Sequence, residues 1–118
     1  SPLEIFTDEI ESMRCAELIR DGRAKDYALA VSFAFRGFLA GMFNVDAREM
    51  TTEELRPVLK RRLAAAHESR RFDDIMGCFN LWDLSRYAEF APSREILENN
   101  LALTRKLADM LYRGESHV

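Results

Sequence analysis

A chain of 118 residues, 47% apolar and 31% charged, fits one globular domain that buries roughly two-thirds of the surface its unfolded form exposes. Two cysteines are too few for a disulfide-stapled scaffold, and three prolines with five glycines leave room for long helices rather than a disordered tail. A formal net charge of −3 argues against a domain built mainly to hold nucleic acid, which is usually basic overall.

The first expected helix is capped by Thr7, with Asp8 and Glu9 in its first turn, where the helix dipole favours negative charge. Its stripe is Phe6, Ile10, Met13, Ala16 and Ile19, and Asp21-Gly22 is the stop. The second helix, Arg23 to Phe43, is the most apolar and the best candidate for a central position. Tyr27, Val31, Ala34, Phe35, Phe38, Leu39, Met42 and Phe43 recur along it at the spacing of one helical face. Gly37 and Gly41, one turn apart, mark the close approach of a neighbouring helix.

A polar connection, Asn44 to Met50, leads to Thr51-Thr52-Glu53-Glu54, where a hydroxyl three residues before a carboxylate forms a capping box. The third helix, Thr52 to Ala66, buries Leu55, Leu59 and Leu63. Pro57 removes a backbone donor and crowds the preceding turn. Either the helix kinks there, or it begins near Arg56 and Thr51 caps only a turn before it. The fourth helix, from Arg70 to Phe79 or slightly beyond, buries Phe72, Ile75, Met76 and Phe79. Asp83 opens a short turn through Leu84, Tyr87 and Phe90. Ser93 caps the last helix, which runs to Tyr112 on Ile96, Leu97, Leu101, Leu103, Leu107, Met110 and Leu111, and the tail from Gly114 to Val118 is expected to fray. The reading is an all-α protein, a compact bundle of four to five helices in one domain spanning residues 1–118.

Candidate chemistry is sparse. His67 sits in a connection between helices and His117 is next to last, so neither offers the held geometry that acid–base catalysis needs. Asp73 and Asp74 are adjacent and diverge by about 100° on a helix, and Glu95 and Glu98 share a face without an imidazole or thiolate in register. No phosphate-binding glycine loop and no nucleophile elbow occur. The expectation is a chain without catalytic residues, metal ligands or a cofactor. Cys15 and Cys78 read as buried free thiols, which suits a reducing compartment. No apolar run is long enough to span a bilayer. The start at Ser1-Pro2-Leu3, without an initiator methionine, reads as a piece cut from a longer protein.

Two segments stand out as surfaces. Arg56, Lys60, Arg61, Arg62, Arg70 and Arg71 place six bases against one acid, Glu68, between positions 56 and 71. Lys60, Arg61 and Arg62 are its centre, and the strip suits anionic membrane or nucleic acid if it is more than a solvated face. The second segment, Phe79 to Phe90, carries four aromatics in twelve residues. It either closes the core or faces a partner, and Trp82, Asp83, Arg86 and Tyr87 are its candidate interaction residues.

Three motifs in order carry a family likeness: Lys25, Tyr27, Arg36, Phe38 and Leu39; then Thr51, Thr52, Glu54 and Leu55; then Asp83, Leu84, Arg86, Tyr87 and Ala88. Together they resemble the cytoplasmic helical domain that follows the last membrane span in BatD-type bacterial membrane proteins, over about Gly22 to Glu98. The chain is also similar to the membrane-tethered C-terminal domains of transglutaminase-like proteins, and Pro57 and the basic linker depart from the usual pattern. The likeness implies a non-enzymatic module on the cytoplasmic face of a bacterial inner membrane. It implies an unidentified protein partner, with MoxR-type ATPases and von Willebrand factor A-type proteins the natural candidates, and no catalytic residue carries over.

Overall fold

Helix nucleation begins earlier than Thr7. In the computed structural model, which describes residues 1–114, Ser1 caps α1 (Pro2–Ser12) with a full capping box to Glu4, and Pro2 occupies the first turn, where its missing N–H costs nothing. The expected single first helix is two. Arg14 adopts a left-handed conformation at φ 57°, and α2 (Cys15–Arg20) restarts beyond it. That break shifts the phase of the stripe: Phe6, Ile10 and Ile19 are buried, but Cys15 takes the inward position intended for Ala16, which is exposed. Gly22, at φ 71°, makes the turn into the next helix.

α3 (Ala24–Phe43) is the axis of the fold and packs on α1, α2, α5 and α6. Asn44 ends it in the left-handed region at φ 54°, one of the few residues that tolerate this conformation without glycine's freedom. A single turn of 3-10 helix, Ala47–Glu49, leads to α4 (Thr52–Ala65). The Thr51–Glu54 capping box forms in both halves, with Thr51 N donating to Glu54 Oε1 at 2.9 Å and Glu54 N to Thr51 Oγ1 at 3.1 Å. Pro57 lies inside the helix without ending it, so α4 starts at the box and not near Arg56.

A second 3-10 turn, Ser69–Arg71, enters α5 (Phe72–Leu84), and Ser93 caps α6 (Arg94–Arg113) through Ile96 N. α5 extends beyond Phe79 as far as Leu84, taking in Asp83, which was expected to open a separate turn, and the turns begin at Ser85. At the corner between α4 and α5, Glu68 is buried and faces Arg71 at 3.4 Å, and neither Glu68 Oε1 nor Arg71 Nε gains a hydrogen-bond partner. Of the expected tail, residues 115–118 lie outside the described residues.

The core is aromatic. Phe6, Phe35, Phe38, Phe79 and Trp82 form a chain of ring contacts with centroids 5.2–6.0 Å apart, most of them tilted or edge-on, as ring quadrupoles favour. Beside it sits a polar knot that hydrophobic periodicity does not reveal. Asn100 of α6 accepts through Oδ1 from Tyr27 Oη at 2.5 Å and from Trp82 Nε1 at 2.7 Å. Thr104 donates back to the Asn100 carbonyl at 2.8 Å. All four residues are buried, so each donor would lose a bond to water without this arrangement. The result is the expected all-α bundle, six helices among the described residues, with α1, α2, α5 and α6 packed on α3 and α4 packed on α5.

Candidate functional site

Two glycines explain how a groove opens beside α3. Gly41 lets Pro2 of α1 approach, since a Cβ there would sit 3.1 Å from the proline ring, which is the helix contact that the glycine pair suggests. Gly37 serves a different neighbour. Any Cβ on it would collide with the Arg48 guanidinium. Arg48 lies over the Phe33 ring at 3.7 Å, donates to the Phe33 carbonyl at 3.1 Å, and grips both carboxylate oxygens of Glu9 at 2.9 Å. The 3-10 turn is thereby pinned to α3 and α1 at once.

Arg36, one turn before Ala40 on the outer edge of α3, fixes the rest of that connection. Its Nη1 donates to the carbonyls of Ala47 at 3.1 Å and Met50 at 2.6 Å, its Nη2 to Thr52 Oγ1 at 3.1 Å, and its Nε to Ser32 Oγ at 3.2 Å. The guanidinium also lies 4.8 Å from the centroid of the Phe79 ring. Burial pulls its pKa below the ordinary arginine value, with Asp83 opposing the shift and Arg86 adding to it. Every hydrogen-bonded acceptor is neutral, so the charge is held by dipoles and by Asp83 at longer range.

Between these anchors is a groove of about 820 Å³. Its floor is the outer stripe of α3 from Lys25 to Arg36, one side is Arg48 to Glu53, and the other is Trp82 to Tyr87. Three apolar side chains face it while largely open to solvent: Tyr87 at 65%, Phe33 at 47% and Leu29 at 44% exposure. Of the interaction residues expected from sequence, Asp83, Arg86 and Tyr87 do line one surface. Trp82 lines it too, but only as a core residue: it is 1% exposed and its indole is committed to Asn100.

Lys60, Arg61 and Arg62 are elsewhere, on α4. Arg62 donates to the Phe43 carbonyl at 2.7 Å, satisfying an end carbonyl of α3, and Lys60 lies 5.8 Å from the Phe72 ring centroid. With Arg71 facing Glu68, part of the basic strip is engaged within the fold.

The thiols lie inside the core. Burial pushes Cys15 up to about 11 and raises Cys78 as well, so both are protonated at neutral pH. Among the described residues, no group of three or more histidine, cysteine, aspartate or glutamate side chains converges as a metal site. No helix among them is long and apolar enough to cross a membrane.

No protein-family profile, curated protein or solved structure matches this chain. The site therefore rests on its own geometry. From the sequence, Arg36, Thr51 and Thr52 stood only as motif positions, whereas Asp83, Arg86 and Tyr87 were also interaction candidates, and all six meet around one groove. It missed Leu29, Phe33 and Arg48. The signal was present: Leu29 and Phe33 are large apolar residues off the buried stripe of α3, one turn apart.

Proposed function

We propose that this chain is a non-enzymatic protein-interaction module whose binding surface is the groove along α3. The observation that carries the reading is the exposure of Leu29, Phe33 and Tyr87 in a concave surface, one wall of which is fixed by Arg36 and Arg48. Exposed aromatic and aliphatic side chains on rigid backbone are how interfaces gain affinity with little ordering cost. The resemblance to BatD-type proteins extends the reading: the module would be held at the cytoplasmic face of a bacterial inner membrane and would engage a MoxR-type ATPase or a von Willebrand factor A-type protein.

The test uses purified components. The chain is titrated with the MoxR-type ATPase and the von Willebrand factor A-type protein of the same bacterium, followed by calorimetry. Saturable binding to one of them, weakened at least about tenfold by Phe33→Ala with Tyr87→Ala, is expected for a central aromatic contact. Binding that survives both substitutions, or no binding to either protein, rejects this assignment.

The basic strip is the weaker alternative, because Arg62 is already committed to the Phe43 carbonyl at the end of α3. A membrane or nucleic-acid surface centred on Lys60, Arg61 and Arg62 would lose affinity steeply with salt.

A further inference from the structure

A second cavity, of about 280 Å³, lies between α2 and α6 and shares no lining residue with the groove along α3. Its floor is apolar: Ile19 and Leu101, 3% and 8% exposed, close it on the core side. Around that floor stand three guanidiniums, Arg20 from the end of α2 and Arg94 and Arg105 from α6, against one carboxylate, Glu98. Arg94, Glu98, Leu101 and Arg105 recur at three or four positions, so one face of α6 supplies them all. On a chain of net charge −3 this is a local excess of positive charge.

Two of the bases have counter-charges, and both are loosely held. Arg20 meets Glu17 at 3.3 Å and Arg94 meets Glu98 at 3.1 Å, with every side chain in the two pairs at least a third exposed. Glu17 is also shared with Arg14. Exposed pairs within one helix contribute little, so their guanidiniums are free to exchange a carboxylate for a stronger anion. Arg105 belongs to no ion pair among the described residues. Its charge nevertheless reaches across to α2: burial raises the pKa of Cys15, and Arg105 opposes that rise.

We infer that this cavity binds a phosphate monoester on a short aliphatic chain, at a site separate from the protein-binding groove. Such a group carries about −1.5 to −2 charge at neutral pH, which matches three guanidiniums less one carboxylate. A ligand carboxylate would neutralise only half of that excess. Arg105 is the anchor, since a guanidinium fork grips two phosphate oxygens at once. Arg20 and Arg94 turn to the same anion from their exposed partners, and the aliphatic chain covers Ile19 and Leu101. The volume lies near the lower end, about 300 Å³, of pockets that take small molecules, which suits one short chain. The same chemistry is presented by a free alkyl phosphate and by a lipid whose head group is a phosphate monoester.

Hexyl phosphate titrated into the full chain is the first probe, followed by NMR of the Ala16 and Ala102 methyl groups that line the cavity. Saturable shifts at both are expected, weakened about tenfold by Arg105→Gln through loss of a charge-assisted bond. Glu98→Gln removes the carboxylate from the cavity and should tighten binding. Inorganic phosphate lacks the chain and should bind at least about tenfold more weakly. Arg61→Gln deletes the same charge on α4, outside the cavity, and should leave the affinity unchanged.

Vesicles of phosphatidylcholine with and without phosphatidic acid separate the two sources. A site for a free ester takes hexyl phosphate and ignores both vesicles; a site for a head group takes the acidic vesicles in a manner that Arg105→Gln weakens. Equal binding of hexanol would reduce the cavity to an apolar dimple. An equal loss in Arg61→Gln would reduce the effect to general charge attraction. Shifts that never saturate, or a Glu98→Gln variant that binds no tighter, likewise overturn the inference.

Discussion

Two polar side chains of α3, Tyr27 and Arg36, face opposite situations. Tyr27 is sealed in the core, where it shares the single acceptor Asn100 Oδ1 with Trp82. Arg36 is half-buried at the edge of a groove and divides its donors among four acceptors on α3, the connection to α4 and the first residue of α4. The first arrangement specifies which helices pack together, because any other register would strand a hydroxyl or an indole N–H without a partner. The second holds a surface in shape while leaving one side open to solvent. A core knot and a surface clamp thus divide fold specificity from surface preorganisation.

The sharpest test of that division is Asn100→Ala. It removes the acceptor of both buried donors and is expected to cost about 3 kcal/mol in urea unfolding. Asn100→Asp keeps an acceptor but buries a charge, and is expected to destabilise as well. If either variant unfolds like the native chain, the knot does not specify the core.

Arg36→Ala is expected to cost less, about 2 kcal/mol, and to loosen residues 47–52 in hydrogen exchange while the core amides keep their protection. Arg36→Lys should recover little, because an ammonium cannot span the Ala47, Met50 and Thr52 acceptors as a planar fork does. Uniform loss of protection throughout the chain would erase the distinction between clamp and knot.

Gly37→Ala comes next, at about 1 kcal/mol, through displacement of the Arg48 guanidinium rather than through helix propensity, which alanine improves. A double-mutant cycle with Arg48→Ala should show the cost of Gly37→Ala disappearing once the guanidinium is gone. Persistence of the full cost would place the strain elsewhere.

The smallest effect appears only in alkali. Cys15 is a neutral acid whose folded pKa of about 11 exceeds its unfolded value of 9.0, so the folded chain binds that proton more tightly. Its contribution is full below pH 9 and is lost as the pH rises to about 11. Cys78 and Tyr27 shift in the same direction through burial, which adds to the slope. Cys15→Ala should flatten the fall in unfolding midpoint across this window, and an unchanged slope would discount the buried thiol.

Periodicity made much of this legible. The buried face of α3, the box at Thr51 and Glu54, and the cap at Ser93 are local signals, each confined to a few neighbouring residues. The break at Arg14 escaped because a non-glycine residue in the left-handed region carries no sequence mark. Asn100 and Thr104 escaped because polar residues on an apolar stripe read as interruptions until their partners, 73 residues away in the case of Tyr27, are placed beside them. The groove was legible only in pieces. Asp83, Arg86 and Tyr87 were visible as a cluster, but their meeting with Lys25, Phe33 and Thr52 depends on long-range packing that no single motif encodes.

The corner where Glu68 meets Arg71 marks where this protein could be made sturdier. Two ionic groups withdrawn from water, and aligned too loosely to repay that withdrawal, invite replacement of both by hydrocarbon of similar volume. Glu68→Leu together with Arg71→Met would then raise the melting temperature, whereas either substitution alone would strand a charge. Evolution has left some thermal headroom untaken at that bend, remote from the surface where binding is proposed.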